Sequence, residues 1–147
     1  MTINGLPAHP LLVHLVVILL PLTSAAAIVA SLWPAAQRKL TFLIPLGAVV
    51  GAIAVPITVR AGNELAAKLG DPPFLNDHRE FGEKILPFAI ALAVTTLAQW
   101  AYLRRPDPSG LPRIVLAVLV TASALGTAVI VVLTGDSGAQ AVWGTKG

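Results

Sequence analysis

Three histidines carry most of the ligand chemistry available to this chain. His9 and His14 stand in PAHPLLVHLVVILLPL (7–22), at the mouth of an apolar run, and His78 stands in DHREFGE (77–83), ahead of another. Neutral imidazole is a good ligand for haem iron, copper or zinc. Two histidines from different helices are a common way to hold a cofactor inside a bundle. His9 precedes Pro10 and is expected at or just before a helix start, with His14 about 6 Å further along the axis. On one regular helix their i,i+5 spacing sets the two side chains about 140° apart, so they share a ligand only if His9 folds back from outside the helix. His14 with His78 is therefore the expected pair, and His9 is the third cofactor candidate. Asp136, in TGDSG (134–138), joins the three histidines as a candidate metal ligand, suited to a hard ion or to a hydrogen bond. Glu64, Asp77 and Ser137 complete the polar groups expected on the same side.

Each residue also has a plain structural reading. A histidine one turn into a span satisfies itself on a helix carbonyl or at the interface. Asp136 reads as a turn residue, and Glu64 as the polar face of a short helix. TGDSG resembles the surroundings of some serine nucleophiles, but the strand–turn–helix context that Ser137 would need is missing. No nucleophile–base pair, phosphate-binding glycine loop or paired carboxylates appear, so a catalytic site is not expected.

The elements that must position these groups are membrane helices. Charged residues make up only 12% of the chain and hydrophobic residues 56%, with a mean hydropathy of +0.81. A soluble domain carries about twice that charge. The net charge of +3 comes from short basic clusters between apolar runs rather than a basic stripe, which argues against nucleic acid as a partner. The absence of cysteine excludes disulfides, thiolate metal sites, covalent c-type haem and cysteine-ligated iron–sulfur clusters. The uncharged N-terminal segment lacks a cleavage pattern and reads as part of a retained span.

Four charge-free stretches, Leu11–Trp33, Leu40–Val59, Ile85–Leu103 and Ile114–Thr134, are each 19 to 23 residues long. About 20 residues cross the hydrocarbon core, and only helices satisfy their own backbone there. The expected fold is thus all-α, a single four-helix membrane domain over 1–147. Pro10 and Pro87 are expected near helix starts, and Pro21, Pro45 and Pro56 within spans. Lysine and arginine are densest in the two short connections, PAAQRK (34–39) and RRPDPSGLPR (104–113). The positive-inside rule makes these cytoplasmic and places both termini and the long connection 60–84 outside. Within that connection, RAGNELAAKLG (60–70) reads as a separate amphipathic helix ended by Gly70. Asp77 and Glu80 form a capping signal for a helix that begins near His78. The fourth helix is expected to end at TGDSG. Small residues recur at four-residue spacing at Ala26/Ala30, Gly47/Gly51, Ala89/Ala93 and Ala122/Gly126, a pattern that suits close helix association.

The opening GLPAHPLLVHLVVILLPL, the DHREFGE segment and the ending TGDSGAQAVWG together resemble a bacterial membrane family called domain of unknown function 2231. The resemblance covers nearly the whole chain, with H-P-x-x-x-H its most specific part. It implies four transmembrane helices in the bacterial plasma membrane. It also implies a respiratory or redox setting, because relatives occur beside Rieske and cytochrome c-type domains. The family pattern carries histidines matching His9, His14 and His78. Many members place another histidine where this chain has Asp136, between Gly135 and Ser137. Two functions follow as expectations. One is a non-catalytic subunit or scaffold of a larger, respiratory membrane complex, with membrane redox proteins or a second copy as partner. The alternative is a redox-associated protein binding haem b or a transition metal through its outer-side histidines.

Overall fold

The computed structural model describes residues 1–144 and is a four-helix membrane bundle with one short extra helix. A two-residue hairpin, β1 (Thr2–Ile3) with β2 (Leu6–Pro7), pairs Thr2 with Pro7 and Ile3 with Leu6. Asn4 and Gly5 make its turn at φ +50° and +81°, the backbone that Asn-Gly favours in a tight hairpin. Five helices follow: α1 (Ala8–Leu32), the short α2 (Pro34–Leu40), α3 (Leu43–Lys68), α4 (Asn76–Leu103) and α5 (Leu111–Trp143). Four of them, with α4 counted from its leading turn at Pro73, are long and apolar enough to cross a membrane. Around the bundle α1 touches α3 and α5, and α4 touches α3 and α5, so α1 and α4 lie diagonally opposite. The N-terminal amine contacts Glu64, and Val142 shares a cavity with His9. Both ends of the described chain and the α3–α4 connection therefore lie at one end of the bundle.

The helices run past the charge-free stretches. RAGNELAAK continues α3 rather than forming a separate helix, because good helix formers carry it outward and Arg60 pairs with Glu64 one turn on at 3.4 Å. Its end was legible. The Gly70 N–H donates to the Ala67 carbonyl and the Asp71 N–H to the Ala66 carbonyl, with Gly70 at φ +84°. A 3₁₀ turn, Pro73–Leu75, leads directly into α4. Asp77 makes no capping hydrogen bond there, and Glu80 instead accepts from Lys84 at 2.6 Å. Since α4 begins at Asn76, Pro87 lies well inside a helix, whereas Pro45 falls in the first turn of α3 and interrupts nothing. TGDSG does not end α5, which continues to Trp143. Neither Gly135 nor Gly138 adopts a positive φ, so neither acts as a stop.

The interior repeats. Buried Val16, Leu20, Thr23, Ser24, Ala27 and Ala30 of α1 match buried Ile85, Ala89, Leu92, Ala93, Thr96 and Gln99 of α4, each pair 69 residues apart. Buried Ile44, Ala48, Gly51, Ala54, Val55 and Thr58 of α3 match Val120, Ala124, Thr127, Ile130, Val131 and Thr134 of α5, each pair 76 residues apart. The bundle is two helical hairpins, α1–α3 and α4–α5, that bury equivalent positions with different side chains. Small residues set the helix spacing within each hairpin. A Cβ on Gly47 would meet Thr23 at 2.6 Å, one on Gly126 would meet Phe88 at 2.7 Å, and one on Gly51 would run into Leu20.

Candidate functional site

The second residue of α1 and the third of α4 meet across the diagonal. His9 and His78 have ring centroids 6.2 Å apart and ring planes at 77°. Both rings are half-buried. His9 Nδ1–H donates to the Thr58 carbonyl on α3 at 3.0 Å, and His78 Nδ1–H donates to the Thr134 carbonyl on α5 at 3.0 Å. A carbonyl only accepts, so Nδ1 of each ring carries a proton, and a neutral imidazole held this way has its lone pair on Nε2. Nε2 lies on the far side of the ring from that anchor.

The same local device builds both anchors. Thr58 and Thr134 each stand four residues before a glycine, Gly62 and Gly138. One turn past the accepting carbonyl, a side chain would occupy the place of the ring. A Cβ on Gly62 would lie 2.7 Å from His9 Cε1, and one on Gly138 would lie 3.0 Å from His78 Cε1. Each threonine hydroxyl turns back to its own helix, Thr58 to the Ala54 carbonyl and Thr134 to the Ile130 carbonyl, both at 2.7 Å. The carbonyl that receives the histidine thus belongs to a buried, internally satisfied turn. Thr-x-x-x-Gly is a bracket for one imidazole, and the fold contains it twice in equivalent positions.

Between the brackets lies a cavity of about 540 Å³, walled by all four long helices. Val13, Val16, Val55, Val59 and Ile85 form its apolar floor and sides, and Asn63 and Arg79 are its other polar lining groups near the mouth. Arg79 is half-exposed and places Nη1 3.1 Å from Asp71 Oδ1.

A family model matches residues 5–147. The chain belongs to DUF2231, a family described as predicted membrane proteins. No curated protein and no solved structure matches it.

In this DUF2231 member the residues singled out from sequence separate into two groups. His9 and His78 come together, whereas the pair expected from spacing was His14 with His78. The difference follows from where α1 begins. Pro10 is tolerated in the first turn, so the helix starts at Ala8 and includes His9. His9 then shares the buried face of Val16 and Leu20, and His14, about 140° round, falls on the outer face with exposed Leu11 and Ile18. His14 Nδ1 instead bonds the Pro10 carbonyl one turn back at 2.6 Å. Asp136 is exposed, accepts from Gln140 Nε2 at 2.7 Å and does not line the cavity. The four-residue metal set is not assembled: among the described residues no three His, Cys, Asp or Glu side chains are placed to hold a metal ion.

The other polar groups have structural partners. Glu64 accepts from the N-terminal amine at 2.6 Å, beside a second, shallower groove. Asp77 is exposed. Ser137 Oγ donates to the Thr134 carbonyl at 2.8 Å and stands 3.5 Å from His78 Nδ1, so it shares the His78 anchor. Thr58, Gly62, Thr134 and Gly138 were not singled out by sequence reading. The visible signal was the repeated Thr-x-x-x-Gly in the outermost turns of two spans.

Proposed function

We propose that this DUF2231 chain is a membrane-embedded metal-cofactor protein in which His9 and His78 ligate one metal through their Nε2 atoms. The carrying observation is the spacing of the two anchored rings. Metal–nitrogen bonds of about 2.0–2.1 Å plus a ring radius of about 1.2 Å put two centroids roughly 6.4–6.6 Å apart in line across one metal, and closer when the angle at the metal is bent. The observed 6.2 Å fits that gap. The hydrogen bond on each Nδ1 is the usual outer-shell partner of a metal-ligating histidine, fixing the tautomer and raising basicity.

Where the metal's remaining ligands belong to a cofactor rather than to water, such a centre suits one-electron transfer better than bond-making chemistry. Its partners are then membrane redox proteins or a second copy of the chain. Arg38 and Lys39 on α2, Arg104 and Arg105 between α4 and α5, and Arg113 in the first turn of α5 all lie at the opposite end of the bundle. This charge orients that end to the cytoplasm and the histidine end to the outer face of a bacterial plasma membrane. A pure subunit or scaffold role draws less support, because the small residues that motivated it pack inside the chain: Gly47 on Thr23, Gly126 on Phe88, and Ala89 and Ala93 in the core.

Elemental analysis of protein purified from membranes in mild detergent tests this reading. Wild type and His14→Ala should carry one metal per chain, and His9→Ala and His78→Ala should carry none. Metal-free wild type, or metal retained in both ligand variants, would overturn it.

A further inference from the structure

We infer that the group held between His9 and His78 is a tetrapyrrole with carboxylate arms at one edge, a haem-type cofactor, rather than a bare metal ion. This inference rests on the two-histidine ligation proposed above. Three observations carry it further.

The first is the donor count. A protein-bound transition-metal ion usually takes four or more ligands. Among the described residues no third His, Cys, Asp or Glu joins the histidines in a metal-binding group. A tetrapyrrole brings four nitrogens of its own and asks the protein for one or two axial ligands. Two imidazoles on diagonal helices meet that need.

The second is space. A bare ion needs no cavity beyond its coordination sphere, yet about 540 Å³ of mostly apolar space adjoins the two rings. That volume lies within the range of roughly 300–1,000 Å³ typical of cofactor and ligand sites. Its wall includes Gly82 and Gly135, which put no side chain into that space and have no close neighbour over them.

The third is the polarity of the mouth. Asn63, in an outer turn of α3, and Arg79, in the first turn of α4, both line the otherwise mostly apolar cavity. Arg79 pairs one nitrogen with Asp71, and a guanidinium carries five N–H donors. Arg79 and Asn63 are therefore placed to receive the carboxylates of a cofactor whose apolar edge points down among the valines. Binding forms two coordinate bonds from neutral Nε2 lone pairs. No proton is released, because each ring proton already sits on Nδ1.

The test titrates haemin, and separately copper(I) and zinc, into the detergent-solubilised full chain produced without haem. The expected result is saturation at one haemin per chain with a low-spin, six-coordinate spectrum. His9→Ala and His78→Ala should each abolish that spectrum, and His14→Ala should retain it. Arg79→Gln should weaken haemin affinity several-fold with the spectrum unchanged, while leaving copper(I) and zinc binding as in wild type.

A high-spin, five-coordinate haemin spectrum in wild type would overturn the inference whatever the variants do. So would histidine-dependent copper or zinc binding without haemin binding, which would leave the proposed metal site standing. If none of the three binds through the two histidines, both readings fall. Gel filtration and thermal unfolding of each variant separate loss of ligand from loss of fold.

Discussion

The two hairpins of this bundle reach the same end by different residues. In the first, α1 presents His9 to a carbonyl on α3. In the second, α4 presents His78 to a carbonyl on α5. The buried positions beneath the two histidines correspond one for one, yet Leu20 is matched by Ala89, Ser24 by Ala93 and Ala30 by Gln99. What the hairpins share is backbone spacing and the Thr-x-x-x-Gly bracket. Packing volume was free to vary as long as a large residue in one half met a small one in the other, which is how dense cores accommodate substitution. The bracket was not free to vary, because a ring cannot lie on a helix turn that carries a side chain there.

This equivalence can be broken deliberately. The largest effect is expected from His9→Ala or His78→Ala. If the halves are equal partners in one site, each substitution removes the bound metal as completely as the other, and the double variant adds nothing. A clear inequality, measured as metal retained per chain, would show that one histidine holds the ligand and the other merely packs beside it.

Next come the bracket glycines. Gly62→Ala and Gly138→Ala push a methyl into His9 and His78, and overpacking of this kind costs about 1–3 kcal/mol. Gly62→Ala should be the more damaging, since its added carbon would lie 2.7 Å from the ring against 3.0 Å at Gly138. Thermal midpoints and ligand affinity of the two variants give the ranking, and a reversed order would mean that the rings relax independently of the brackets.

A smaller asymmetry lies in Ser137, which shares the Thr134 carbonyl with His78 and occupies the position equivalent to Ala61. Ser137→Ala should change stability by about 1 kcal/mol or less and leave the His9 half unaffected. The histidine Nδ1–H resonances would read out the two halves separately. The smallest changes are expected at His14→Ala and Asp136→Asn, within about 0.5 kcal/mol and with no loss of ligand, because both side chains face outward and make only local bonds.

Much of the fold was legible in the sequence because lipid imposes a simple rule. A charge-free run of the right length must be a helix, and four such runs marked all four long helices. Where lipid stops constraining the chain, the reading weakened. Residues 60–68 read as a separate helix and 135–143 as lying beyond a helix end, yet both continue the spanning helices because nothing in them adopts the conformation that would end a helix. Gly70, which does adopt a positive φ, was read correctly as a stop. Asn4-Gly5 was a hairpin signal that went unread.

The site was half legible. Histidine type and placement pointed to ligation, and His78 is one of the pair. The choice of His14 over His9 came from placing His9 at or just before the helix start, whereas α1 begins at Ala8 and sets His9 on its inner face and His14 on its outer one. The brackets were invisible as chemistry, since a backbone carbonyl and a missing side chain leave only two letters in the sequence. The repeat was hidden for a related reason: equivalent buried positions share geometry and differ in residue type.

X-ray absorption at the metal edge of the loaded protein tests the central claim most directly. Two imidazole nitrogens from the protein should appear at about 2.0–2.1 Å. The edge signal should be absent from His9→Ala and from His78→Ala, which hold no metal, and unchanged in His14→Ala. Coordination that survives removal of His9 or of His78, or that depends on His14 or a carboxylate, would contradict the two-bracket site.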